Sequence, residues 1–515
     1  MILQLLDGRQ QDTRKIQSLE HRLDLLLRKL YGRSAEKIDP RQMALFADLL
    51  KQLQQQSQPE PEPPAPSGPS SPSKRKGHGR RKLPADLPRE QIIHDLPEDQ
   101  KPCPCCGAMR QLIGQETSEQ LDIVPAQLKV IEHVRLKYAC KACEQKAAEG
   151  GPQIVVAEKP LSPIEKGLAA PGLLAYVIVS RFCDHLPYYR LERILGRHDI
   201  QIARSTQGGW AAQVAAAIKL LHELMIQEVL ASKVIHTDDT PVDVLDPALG
   251  KTRIGRFWVY VGDQSHPYVV FDYTPSRSRD GPMTFLKDWG KTERRYLQAD
   301  AFGGYDGIYA GEAGGTLVCE VACWAHAQRK FFEAQTSDLA VGTQVLACIR
   351  LLYDIEDETE SLSSAGRACI RQERAAPLLV QLRSWLLSQQ AVNGGAVLPK
   401  SPMGQAITYA LNQWAALTVY LLDGDLKIDN NTGENALRRI ALGRKNWLFC
   451  GSDNGGATAA ILFSVIATCQ RHDVEPFAYL RDVLTRIAAT PLSRLADLLP
   501  DRWQASQNAS LALPA

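Results

Sequence analysis

The chain has 515 residues, 44% of them apolar, and a formal net charge of +2 that averages 60 basic against 58 acidic side chains. A single core rarely grows past ~250–300 residues, so several domains are expected. No apolar run approaches the ~20 residues of a membrane span, and the first residues lack the basic start and small-residue cleavage site of a secretory signal, so no membrane contact and a cytoplasmic location are expected.

Residues 1–54 form a first, helical segment. Within it Ile16, Leu19, Leu23, Leu26 and Leu30 alternate spacings of three and four, a short heptad seam that suits a partner helix. An amphipathic helix docked on its own domain would give the same pattern. Residues 55–87 are proline- and serine-rich and cannot bury a core, which reads as a disordered linker. It carries the basic run Lys74-Arg-Lys-Gly-His-Gly-Arg-Arg-Lys82, either a solvated tail or a phosphate contact.

Residues 88–150 hold two Cys-x-x-Cys pairs, Cys103 with Cys106 and Cys140 with Cys143. Together they offer four thiolates to one tetrahedral Zn²⁺, a structural finger; Cys105 should face away. The span between the pairs is long for a zinc ribbon. It contains two β-like runs, at 120–124 and 129–138, about a turn at Pro125, so a hairpin is expected there. The other cysteines are scattered in apolar contexts and read as small buried residues.

Residues 160–222 show three helical runs, Leu173–Asp184, Tyr188–Arg197 and Ser205–Ile218, joined by tight turns. These suit a helix-turn-helix DNA-binding unit or an ordinary bundle bridging two domains. Residues 230–330 switch to strands at Lys233–Thr237, Arg256–Val261, Tyr268–Tyr273, Arg295–Ala299 and Thr316–Ala322, with a helix at Pro282–Trp289. Three strands, a helix, a strand ending in Asp and a further strand describe an RNase H-like α/β catalytic core. Residues 331–425 are helical apart from a Gly-containing break at 393–396 and read as an all-helical insertion. Residues 426–505 complete the core with a basic helix and C-terminal helices.

The chemistry is expected from three carboxylates. Asp238 closes the first strand, in His236-Thr-Asp-Asp-Thr-Pro241; Asp300 closes the fourth; Glu434 sits on the basic helix after Asp429-Asn-Asn. Such carboxylates, brought together from separate elements, can hold two Mg²⁺ (or Mn²⁺) ions that activate a water or hydroxyl and stabilise the leaving oxygen of a phosphodiester. Asp239 should point to the opposite face of the strand. Asp306, Asp423, Asp425 and Asp429 lie in turns or loops. Arg438, Arg439, Arg444 and Lys445 on the basic helix, and His326, Arg329 and Lys330 on one face of a helix after the fifth strand, are expected to contact DNA phosphates. A proton-transfer role for His326 is the alternative.

With these residues assembled, the chain resembles transposases of the insertion sequence 66 family of bacterial mobile elements. The likeness rests on Leu25-Leu-Leu-Arg-Lys-Leu-Tyr-Gly-Arg-Ser-Ala-Glu-Lys37, the finger from Cys103 to Cys143, His236–Pro241 and Ala299-Asp-Ala-Phe-Gly-Gly-Tyr305. It also rests on Cys323-Trp-Ala-His-Ala-Gln-Arg-Lys-Phe-Phe332 and Asp429–Phe449. Asp239 stands where Glu is expected, and Asn435 and Arg439 where Arg and Pro are. The resemblance implies a DDE transposase with a leucine-zipper-like helix and zinc finger, with Asp238, Asp300 and Glu434 on the triad positions. It implies double-stranded DNA partners, the element's inverted repeats and a target, an association with the nucleoid, a homo-oligomeric active complex and small accessory proteins of the same element. The competing readings are a non-catalytic zinc-finger regulator and an RNase H-like nuclease.

Overall fold

The computed structural model describes residues 128–139, 154–156, 161–165, 167–246, 248 and 250–512. The expected N-terminal helix, the linker and all four zinc-ligand cysteines lie outside these residues. All the elements below belong to one compact unit of the chain. Among the described residues no helix is long and apolar enough to cross a membrane.

The expected strand at 129–138 is a correction. Residues 128–136 are irregular, with Val130 and Val134 92% and 73% exposed. Alternation alone makes no strand where no neighbouring face covers it. Among these residues only β1 (Lys137–Ala139) is a strand, and it pairs antiparallel with β2 (Ile154–Val156); the other expected run, at 120–124, lies outside the described residues.

Helices α1 (Pro171–Phe182), α2 (Tyr188–Gly196), α3 (Arg204–Ala217) and α4 (Lys219–Ala231) follow. Proline opens α1, where a missing N–H costs nothing. Their apolar faces (Leu174, Leu191, Trp210, Met225) join the same core as the sheet, so this region is part of the main body.

The sheet comprises β3 (Val234–Asp246), β4 (Lys251–Val261) and β5 (Val269–Thr274), then, after α5 (Asp280–Phe285), β6 (Arg295–Gln298). After α6 (Asp306–Tyr309) comes β7 (Val318–Val321). The strand order is β5-β4-β3-β6-β7; β4 runs antiparallel to both β3 and β5, and β6 and β7 run parallel to β3. Strand alternation sends Ile235 and Leu297 into the core shared with α1–α4. Val234 and Tyr296 enter a second core on the other face.

That second core belongs to α7 (Trp324–Ala334), α8 (Leu339–Thr359), α9 (Ser364–Ile370), α10 (Ala376–Gln389), α11 (Pro402–Asn412) and α12 (Trp414–Thr418). The expected break is present, with Gly394 at φ 87°. At the middle of this layer Arg371, 2% exposed, forks onto Glu356 (2.8 and 2.6 Å). Its remaining N–H groups donate to the carbonyls of Tyr420, Asp423 and Leu426. The loop that leads to Glu434 is thereby tied down.

The chain ends with α13 (Asn431–Trp447), β8 (Phe449–Cys450), α14 (Asp453–Arg471), α15 (Pro476–Arg486) and α16 (Pro500–Ala512). One feature of β3 fixes where α13 lies. Its β4 edge is paired throughout, but its other edge pairs with β6 only at Val234–His236 and with β8 only at Asp243–Val244. The stretch between has no strand neighbour on that side. Its carbonyls are satisfied by side chains instead: Asn430 donates to Thr237 O (2.7 Å) and Arg444 to Pro241 O. Seventeen helical residues rise roughly 25 Å, close to the roughly 22 Å that β3 covers from Thr237 to Asp243–Val244. The helix therefore runs alongside the open edge and delivers the chain, through Leu448 at φ 66°, straight into β8.

Candidate active site

The expected carboxylates lie on elements that border the open edge of β3. The first strand was expected to run from Lys233 to Thr237, with Asp238 at its end; it continues to Asp246. Pro241 does not end it because Pro241 faces the edge with no strand partner, where a missing N–H breaks no ladder bond. Asp238 is thus held in mid-strand, its Oδ1 accepting from the Asp239 amide (2.8 Å). Asp300 lies two residues past β6, which pairs in parallel with β3. Glu434 occupies the first turn of α13, where the helix dipole favours a carboxylate.

Glu434 is located by a buried network that the sequence reading missed. Asn430 is 1% exposed: its Oδ1 meets His236 Nδ1 at 3.1 Å, its Nδ2 donates to Thr237 O, and its amide donates to Cys323 Sγ at 3.2 Å. Gln298, fully buried at the end of β6, clasps the preceding loop. Its Nε2 donates to Lys427 O (2.9 Å) and its Oε1 accepts from the Lys427 amide (2.9 Å). Asp429 accepts from Tyr353 Oη and from Asn431. A motif of two Asn after an Asp was the available signal.

The electrostatics show mutual proximity. The Asp238 carboxyl is pushed up to about 7, first by burial and then by the charges of Asp300, Asp239 and Glu434. Burial also raises Asp300, opposed by His326 and Arg277. Asp300 Oδ1, Glu434 Oε1 and His326 Nδ1 are shielded from water without a hydrogen-bond partner, an expensive state for polar atoms. His326 Nδ1 stands 3.6 Å from Glu434 Oε1. Among the described residues, the group of three whose ligand atoms lie within 4.8 Å of one another is Cys323, His326 and Glu434, rather than the three carboxylates. Carboxylate oxygens are nevertheless the ligands that Mg²⁺ prefers, and the donor set fits it.

The other acidic residues are engaged elsewhere. Asp239, its side chain 1% exposed, is held by Arg256 (2.8 Å) and Arg277 (2.7 Å), whose guanidinium lies over Phe302. Asp423 and Asp425 pair with Lys233, and Asp306 is exposed at the start of α6. Of the basic candidates, Arg438, Lys445, Arg329 and Lys330 are exposed, with Lys330 over the Tyr409 ring at 5.7 Å. Arg444 is committed to Thr240 and Pro241 of β3. Arg439 is largely buried near Cys183, which lowers its pKa by desolvation.

Carboxylates on neighbouring elements at an open sheet edge, two of them with unpartnered buried oxygens, make this the candidate site. Comparison with known proteins names the family. A model described as Transposase IS66 family matches residues 166–458, and the chain belongs to that family. The zinc-finger binding domain of transposase IS66 matches residues 100–144, the IS66 C-terminal element residues 464–500, and transposase C of IS166 homeodomain residues 18–92. The protein is therefore a multidomain transposase-family chain with a zinc-binding element and a mixed α/β core. Relatives include the uncharacterized protein y4hP of Sinorhizobium fredii, 31% identical over 461 residues, spanning 86% of this chain and 80% of that one. The uncharacterized protein y4qI of the same organism is 32% identical over 439 residues, spanning 83% and 78%.

Proposed function

We propose that the chain is a DDE-type transposase that cuts DNA at the ends of its element and joins the freed ends to a target, using Asp238, Asp300 and Glu434. The observation that carries this reading is the convergence of the three carboxylates, from β3, the turn after β6 and the first turn of α13, with unpartnered oxygens on two of them. Paired Mg²⁺ or Mn²⁺ ions bound there would activate water or a 3′-hydroxyl and stabilise the leaving oxygen. The protein's part is to hold the carboxylates rigidly: a mid-strand position, a turn anchored by the Phe302 amide, and a helix start pinned by Asn430. His326, whose Nδ1 stands 3.6 Å from Glu434 Oε1, would move a proton. No Ser or Tyr nucleophile is required.

The strand order, three antiparallel strands and then two parallel ones, supports an RNase H-like core. Residues 331–425, whose apolar core also takes in Val234 and Tyr296 of the sheet, then act as an insertion between the limbs bearing Asp300 and Glu434. Phosphate contact falls to Arg438, Lys445, Arg329 and Lys330. The α1–α3 unit presents exposed Arg190, Arg193, Arg197 and Arg204 for DNA, and Zn²⁺ closes the finger through Cys103, Cys106, Cys140 and Cys143. The active form is a homo-oligomer on element ends, served by small accessory proteins.

Joining of a pre-cut element end to plasmid DNA in Mg²⁺ is the test. A transposase gives joined products, a nuclease only cuts, and a regulator does neither. Asp238→Asn, Asp300→Asn and Glu434→Gln each remove one negative ligand at nearly constant volume. They should keep DNA binding, which rests on Lys and Arg, and lose at least roughly 10²-fold in rate. Joining at the wild-type rate by all three would overturn the reading.

A further inference from the structure

We propose that Cys323, His326 and Glu434 form a second cation site, selective for a thiophilic divalent ion such as Zn²⁺, and that filling it withdraws Glu434 from the Mg²⁺ site. The inhibitory consequence rests on the catalytic reading of Glu434; the existence of the site does not.

Three independent observations converge. Cys323, His326 and Glu434 each offer one ligand atom, all within 4.8 Å of one another. His326 Nδ1 and Glu434 Oε1 are sheltered from water with no hydrogen-bond partner. Their 3.6 Å separation is too long for a good hydrogen bond. It is the spacing of two ligands on one tetrahedral ion, since metal–ligand bonds of about 2.0–2.3 Å set ligands roughly 3.3–3.8 Å apart.

The sulfur is prepared for a metal as well. Cys323 precedes α7 at its N-cap position, and its Sγ accepts from the backbone amide of Asn430 at 3.2 Å. Backbone donors at a helix start stabilise a thiolate. Burial works the other way and pushes the thiol up to about 11, so formation of the metal–sulfur bond releases the thiol proton to solvent. No electron transfer is involved. A set of one sulfur, one nitrogen and one oxygen suits Zn²⁺ or Co²⁺ and is foreign to Mg²⁺, which takes oxygen. Glu434 is common to both sites, so the two occupancies compete.

Full-length protein and its Cys323→Ser variant decide the matter. Serine is itself a favourable N-cap, so α7 should form normally. Both proteins, saturated with Zn²⁺ and dialysed, are analysed for bound metal, and both are titrated with Co²⁺ while thiolate-to-cobalt absorption is followed. Wild type should retain one ion more per chain than Cys323→Ser, and its cobalt spectrum should exceed the variant's. The cysteine finger contributes equally to both proteins and cancels. His326→Gln should lose the same ion, which guards against a folding defect peculiar to Cys323. In Mg²⁺-supported cleavage, half-inhibition of Cys323→Ser should need at least about tenfold more Zn²⁺ than wild type. Equal metal content and identical cobalt spectra would overturn the site. If metal content differs but neither protein cleaves DNA, the cation site stands and the catalytic reading falls.

Discussion

Asn430 does the work of several residues at once. It joins the imidazole of His236, the carbonyl of Thr237 and the sulfur of Cys323 four residues ahead of Glu434. Asn430→Ala would orphan a buried carbonyl and release the start of α13. Stability should fall by about 1–3 kcal/mol, and cleavage should fall while DNA affinity stays. Thermal unfolding, a binding titration and single-turnover cleavage check this; unchanged cleavage would show that Glu434 needs no such anchor. The neighbouring Asp238 carries a pH prediction. Its folded value, about 7, lies above the ordinary one, so the folded, metal-free protein binds a proton that the unfolded chain gives up. Stability from this group is present at low pH and declines as pH rises towards 7. Any cation must displace that proton below pH 7. The Mg²⁺ concentration for half-maximal cleavage should therefore rise by up to about tenfold per pH unit below neutrality. A requirement unchanged between pH ~6 and ~8 would refute the shift.

At the scale of elements, the clearest energetic claim concerns the buried Arg371–Glu356 pair. Arg371→Met would leave Glu356 without its partner and three carbonyls of the 420–426 loop without donors. Removing one member of such a pair typically costs about 3–5 kcal/mol. A loss of that size in chemical denaturation is expected, with partial recovery in the Arg371→Met/Glu356→Gln double variant. Helices and strands with strong periodicity were legible in the sequence: the α1–α3 runs, the Asp300 strand and the helical stretch after Trp324 fall close to where periodicity put them. Asp238, Asp300, Glu434 and His326 were legible as candidates because their residue types and order carry chemistry. The extent of β3 was not, because Pro241 normally ends a strand and only the missing edge partner makes it harmless. Nor were Gln298 and Asn430, whose bonds reach across more than a hundred residues to backbone groups that no local pattern reveals. The 129–138 run shows the reverse error, an alternating pattern without a face to cover it.

Across the whole molecule, separate parts match separate family models: a zinc-finger domain at 100–144, the transposase body at 166–458 and a C-terminal element at 464–500. If the four finger cysteines hold a structural ion, Cys103→Ser should lose zinc and unfold only its own module, leaving the unfolding transition of the α/β body in place. Cys105→Ser should keep its zinc; equal zinc in Cys103→Ser and wild type would sink the assignment. The body itself has a property set by its order in the chain. Strand β3 leaves one edge unfilled at residue 237, and the helix that fills it arrives only at residue 431, with β8 closing the far end at Cys450. A ribosome must therefore translate some two hundred further codons before the edge is covered and the last carboxylate is in place. A prematurely terminated chain carries the zinc-finger sequence but no complete site. On the proposed reading, translation would withhold DNA cutting until the helix at 431–447 has been made, and chains ending before it would lack Glu434.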